Sequence, residues 1–138
     1  MKDEPPEKLY PSILIQNLLC GAGFSDNVNL TEIGMAINET INKCRMSLGN
    51  HYGDLFGGLI LYGSAARNQA DMTSDIDFLV LLNKPFDYFH ELYRIIDVLY
   101  PIQLESDRLI SAKPALKDEF GQGKIQLYRN AKKEGISL

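Results

Sequence analysis

The sequence predicts a small α/β (α+β) domain in which a short sheet packs against helices, and three observations carry that expectation. Leu59-Ile60-Leu61-Tyr62 and Phe78-Leu79-Val80-Leu81-Leu82 are apolar runs of the length that forms buried strands. Ile33, Ala36, Ile37, Ile41, Cys44 and Leu48 recur at three-to-four spacing, the period of a helix with one apolar face. The order helix, strand, strand, helix, strand, helix is that of a layered α/β sandwich. A chain of 138 residues, 45% of them apolar, supports one core and is too short for two ordinary domains. One domain is therefore expected over 1–138, with an extension at 1–28, a core at 29–106 and a helical tail at 107–138.

Each element has its own signal. Residues 1–8 are charged and Pro-rich and are not expected to join the core. Tyr10 to Cys20 is apolar nearly all round and closes at Gly21-Ala22-Gly23, which predicts a short helix that is buried or faces a partner. Asn29-Leu30-Thr31-Glu32 opens the longer helix, and Gly49 is expected to end it. Gly58 to Tyr62 reads as the first strand, broken by Gly63, and Ile76 to Leu82 as the second. Pro85 suits the first turn of a helix whose apolar face would be Phe86, Phe89, Tyr93, Ile96 and Leu99 or Tyr100, with Pro101 as its stop. Ile102-Gln103-Leu104-Glu105 alternates as a third strand would. Helical pieces are expected at Ala115 to Phe120 and Ile125 to Lys133, followed by a short closing strand in residues 134–138.

Composition removes several function classes. No run approaches the roughly 18 apolar residues of a membrane span, and MKDEPPEKLYPS lacks the basic-then-apolar pattern of a secretory signal, so a cytoplasmic protein is expected. A net charge of -4 argues against general nucleic-acid binding. Cys20 and Cys44 read as buried free thiols, and His51 and His90 as surface or packing residues, since neither pair has metal-ligand spacing. Gly21-Ala22-Gly23 has Asp26 where a dinucleotide fingerprint needs its third glycine. Asp71-x-Thr73-x-Asp75-x-Asp77 fails as a calcium loop, with Ile76 at the glycine position and Leu82 at that of the bidentate glutamate.

The stretch LYGSAARNQADMTSDIDFLVLL, from Leu61 to Leu82, carries the chemistry. Residues two apart in a strand share a side, so Asp75 and Asp77 direct both carboxylates to one face while Ile76 enters the core. Two carboxylates that close repel unless a cation neutralises them, and hard oxygen donors suit Mg²⁺, which leaves positions for water and phosphate. Gly63 permits close backbone approach to a phosphate, and Ser64 adds a hydroxyl ahead of a turn or short helix over Ser64 to Gln69. As a structural alternative, the two aspartates are solvated acids at a strand end, but that leaves Gly63-Ser64 at the matching distance unexplained.

Gly63-Ser64-Ala65-Ala66-Arg67 followed by Ser74-Asp75-Ile76-Asp77-Phe78-Leu79-Val80 resembles the signature of the DNA polymerase β-type nucleotidyltransferase superfamily, and more narrowly the minimal nucleotidyltransferases. The resemblance covers residues 30–106 well and the tail through Glu134-Gly135-Ile136. It implies a nucleotidyltransferase fold with a small mixed β-sheet, Asp75 and Asp77 as catalytic metal ligands, and Gly63, Ser64 and Arg67 as nucleotide-binding residues. Two Mg²⁺ ions and ATP or another nucleoside triphosphate are implied with them. The reaction implied is attack of an acceptor hydroxyl on the α-phosphorus with loss of pyrophosphate.

Two departures stand out. Asn68 follows Arg67 where a glycine is usual, and the third carboxylate, on the neighbouring strand in active relatives, has no assured counterpart. Glu105 would complete the catalytic and metal set; Gln103 at that position would leave it without charge. Three functions follow: transfer of AMP to a hydroxyl on a HEPN-domain partner in a toxin–antitoxin pair, a nucleotide-binding antitoxin that acts by covering its partner, or a small-molecule transferase of the antibiotic-modifying kind. The third usually needs an extra domain to hold its acceptor. The base, the acceptor and the oligomeric state are left open.

Overall fold

The structure is a computed structural model that describes residues 27–66 and 75–138, without the side chains of residues 27–34 and Ala36. The expected helix at Tyr10 to Cys20, together with Cys20 itself, lies outside the described residues. Helix α1 (Asn27–Tyr52) leads through a 3-10 turn, Gly53–Leu55, into strand β1 (Phe56–Tyr62). Strand β2 (Ile76–Leu82), helix α2 (Tyr88–Glu105) and strand β3 (Ile110–Leu116) follow. Two short helices, α3 (Lys117–Gln122) and α4 (Gln126–Glu134), precede the last strand, β4 (Ile136–Ser137).

The strands form one mixed sheet in the order β3-β2-β1-β4. β1 pairs antiparallel with β2 and with β4, whereas β2 and β3 run parallel, joined by the crossover helix α2 that a parallel pair requires. β2 lies inside the sheet, and its whole apolar run from Phe78 to Leu82 is buried.

Strand alternation divides the core in two. Leu59, Leu61, Ile76, Phe78, Val80 and Ala112 face one way and pack with Ile37, Ile41, Cys44 and Leu48 of α1 and Ile95, Leu99 and Ile102 of α2. Ile60, Leu79, Leu81 and Ala115 face the other way, under Phe120 of α3 and Ala131 of α4. The α1 and α2 helices run antiparallel across the first face. The Tyr52 hydroxyl donates to Glu91 Oε2 at 2.6 Å, and Lys43 Nζ donates to Glu105 Oε1 at 2.9 Å.

Several boundaries differ from the sequence expectation, each for a physical reason. Helix α1 passes through Gly49 to Tyr52, because Leu48 and Tyr52 continue its buried face. α2 starts at Tyr88 rather than at Pro85, since Asp87 is its N-cap and accepts from the His90 amide at 3.0 Å. Pro101 does not stop α2; Ile102, one residue on, is buried in the core and repays the lost backbone bond. The expected strand at 102–105 is therefore the last turn of a helix. The third strand is Ile110–Leu116, which tolerates Pro114 because β3 is an edge strand. Residues 107–138 thus supply two of the four strands and are not a purely helical tail.

The face of α2 also differs. Ile95, Leu99 and Ile102 are its buried side, while Phe89, Tyr93, Ile96, Tyr100 and Leu104 lie exposed at successive turns, with Phe89 66%, Tyr93 64% and Leu104 68% accessible. Both sets have helical spacing, so periodicity alone does not distinguish the face toward the sheet from the face away from it.

Candidate functional site

Asp77 is the second residue of β2 and stands opposite Tyr62, the last residue of β1. By alternation it shares the face of Leu79 and Leu81, opposite to that covered by α1 and α2. It is half-buried, whereas Asp75, just before the strand, is exposed. The Ile76 amide between them donates to the Leu109 carbonyl at 2.9 Å, which fixes the entry of β2 into the sheet.

Gly63 follows β1 at φ +80, a left-handed conformation that side chains disfavour. A Cβ there would collide with Asp77 Oδ2 and stand 3.2 Å from its Cγ, so the glycine backbone and the carboxylate occupy adjoining space. Ser64 is half-buried in the turn that follows, which closes by a bond from the Ala66 amide to the Gly63 carbonyl at 3.1 Å. Arg67 and the rest of the expected short helix to Gln69 lie outside the described residues. Tyr62 flanks the site, and its phenol is pushed up to about 12, chiefly by burial and then by the neighbouring charge of Asp77.

The strand beside Asp77 is β3, with Ser111 directly opposite Asp77 and Lys113 opposite Leu79. Ala112 packs into the first core and Ala115 into the second, so Ser111 and Lys113 belong to the face of Asp77. No carboxylate stands on β3. Glu105, expected as the third acid, ends helix α2 and is bonded to Lys43 of α1 rather than carried on the strand next to Asp77. Gln103 has a different task. Its side chain donates to the Arg108 carbonyl at 2.8 Å and accepts from the Ile110 amide at 2.7 Å, pinning the loop that turns the chain into β3.

Ser111 and Lys113 are thus the residues that sequence reasoning missed. The alternation of Ile110 and Ala112 with Ser111 and Lys113 was the available signal. So was the crossover rule, because a helix ended at Pro101 leaves the third strand in the wrong place.

Carboxylate and hydroxyl oxygens are the donor types that suit a hard cation. Asp75 and Asp77 carry carboxylate oxygens and Ser64 a hydroxyl, and Asp77 adjoins space that only a glycine leaves open. Among the described residues, no group of three or more His, Cys, Asp or Glu side chains comes together to hold a metal. A divalent ion bound there would supply charge neutralisation for phosphate oxygens.

Cys44 is a buried free thiol, pushed up to about 12 by burial, and takes no part in the site. His51 and His90 are exposed; His51 stacks edge-on against Tyr52 at 4.7 Å, and His90 Nε2 lies 2.8 Å from Arg94 Nη2. Among the described residues no helix is long and apolar enough to cross a membrane.

A family model described as a nucleotidyltransferase domain matches residues 47–135, well over half of the chain. The chain belongs to the nucleotidyltransferase domain family. Within this nucleotidyltransferase domain, the matched span runs from the end of α1 to the residue before β4 and includes the Gly63 turn, both aspartates and the whole of β3. The mixed four-stranded sheet with its helices is the family fold, and nucleotidyl transfer is the family's chemistry. No curated protein matched the chain.

Proposed function

We propose that this nucleotidyltransferase domain binds a nucleoside triphosphate, ATP foremost, with one Mg²⁺ through Gly63, Ser64, Asp75 and Asp77, and that its transfer activity is weak. It acts by covering a HEPN-type partner in a toxin–antitoxin pair. The observation behind weak transfer is β3: Ser111 and Lys113 stand on the face of Asp77, where the resemblance calls for an acid. A serine and a lysine give neither a third ligand for a second metal nor a carboxylate base. The open row Phe89, Tyr93, Ile96, Tyr100 and Leu104 on α2 supports the partner, because an exposed apolar stripe of that length is unusual on a monomer surface.

One observation favours a second reading, transfer of AMP to a hydroxyl of the partner. The close fit of Gly63 against Asp77 is the arrangement a working phosphate site would keep. One experiment separates the two. The domain is incubated with Mg²⁺, α-labelled ATP and its co-purifying partner, beside Asp77→Ala. ATP binding with no label on the partner, and neutralisation that survives Asp77→Ala, supports the first reading. Label that vanishes in Asp77→Ala supports the second, and no ATP binding at all defeats both.

A further inference from the structure

The parallel register of β2 and β3 puts Lys113 one step along the strand from Ser111, the residue opposite Asp77. From strand spacing and rise, the Cα atoms of Asp77 and Lys113 are roughly 8 Å apart on one face. A lysine stem spans most of that distance. Lys113 is half-buried, and among the described residues it makes no ion pair, although it shares a face with Asp77. A lysine on that face with no ion pair among the described residues has its hydrogen-bond donors available to phosphate oxygens.

We propose that Lys113 is a phosphate ligand of this site, a fixed cation contributed by β3 that contacts the triphosphate directly and does part of the work of a second divalent ion. The inference rests on the nucleotide-binding reading given above and adds a ligand to it. A triphosphate brings several negative charges to a face that already holds Asp77. One divalent cation leaves much of that charge unmatched, and an ammonium donates hydrogen bonds to phosphate oxygens without requiring a coordination shell. The nucleotide is therefore held partly without metal, which a site built only from carboxylates would not allow.

The consequence is measurable without turnover. ATP is titrated by calorimetry into the full-length wild type and into Lys113→Ala, Lys113→Arg, Lys113→Glu and Lys117→Ala, in EDTA and again in excess Mg²⁺. The last variant is a charge control, since Lys117 is exposed and lies beyond the opposite end of β3 from Ser111. Wild type is expected to bind ATP in EDTA, with Lys113→Ala at least about tenfold weaker, the loss of one charge-assisted contact. Lys113→Arg recovers most of the affinity, Lys113→Glu abolishes binding in EDTA, and Lys117→Ala matches wild type. Equal affinities for wild type and Lys113→Ala in EDTA, or equal losses in Lys113→Ala and Lys117→Ala, overturn the assignment of Lys113 while leaving nucleotide binding intact. Binding by wild type in Mg²⁺ but not in EDTA overturns this inference alone, and failure to bind ATP in both conditions overturns the nucleotide reading and this inference with it. Thermal unfolding of each variant identifies a loss caused by misfolding; if Lys113→Ala is unfolded, the Lys113→Arg and Lys113→Glu pair decides.

Discussion

Gly63 and Asp77 are in contact through space that no other residue at position 63 leaves open: a Cβ there would lie 3.2 Å from Asp77 Cγ and closer still to Oδ2. The strand end and the acid are fitted to each other. Gly63→Ala adds left-handed strain at φ +80 to that collision and is expected to cost about 2 kcal/mol of stability. ATP affinity should fall as Asp77 is pushed aside. Urea unfolding and ATP titration check both, and a stable variant with unchanged affinity would show that the fit has no role in binding.

Asp77→Asn keeps the shape of the side chain and removes its charge. Mg²⁺-dependent ATP binding should drop at least about tenfold while the fold remains. Asp75→Asn is expected to cost less, because Asp75 is exposed at the strand entry. Calorimetry with and without Mg²⁺ ranks the two, and the reverse order would make Asp75 the principal ligand.

The exposed row on α2 predicts a binding defect without a folding defect. Tyr93→Glu combined with Ile96→Glu should abolish co-purification of the partner while changing stability by only about 0.5 kcal/mol per site, as expected for surface positions. Retention of the partner would move its contact elsewhere.

Gln103→Ala tests the loop into β3. Loss of its bonds to Arg108 and Ile110 should cost about 1–3 kcal/mol, because the Ile110 amide and the Arg108 carbonyl lose their partner together. Hydrogen exchange at Ile110 and along β3 should quicken in step.

Alkaline pH should destabilise the fold through groups held protonated inside it. Cys44 rises from 9.0 to about 12 by burial, and Tyr62 from 10.0 to about 12 by burial and by Asp77. The folded value of each lies above the unfolded one. Their stabilisation is therefore complete below pH 9 for Cys44 and below pH 10 for Tyr62, and is lost as pH rises toward 12. In that window each group adds a slope approaching about 1.4 kcal/mol per pH unit. Urea unfolding at a series of pH values should show a shallower decline in Cys44→Ala and in Tyr62→Phe.

Local chemistry explains which parts of the fold are legible in the sequence. β1 and β2 carry apolar runs that suit buried strands, and β2 has the bounds that its run predicts. The last helix and closing strand also agree within a residue or two of their expected ranges. Pro101 and Pro114 both lie inside regular elements, for different reasons. The first lies within a helix because Ile102 beyond it is buried, and the second within a strand because that strand is at the edge.

The sequence by itself determined that Gly63 and Ser64 follow one strand and that Asp75 and Asp77 stand at the start of the next, because apolar runs and the glycine between them are local properties of the chain. Only the tertiary structure decided what stands beside them. Which residue of β3 meets Asp77 depends on the length of the crossover helix and on the loop pinned by Gln103, neither of which is written in the motif. That register puts Ser111 and Lys113 on the face of Asp77 and leaves Glu105 bonded to Lys43 at the end of a helix. Strand pairing joins residues more than thirty positions apart, so a small change in where α2 ends changes the chemistry of the site.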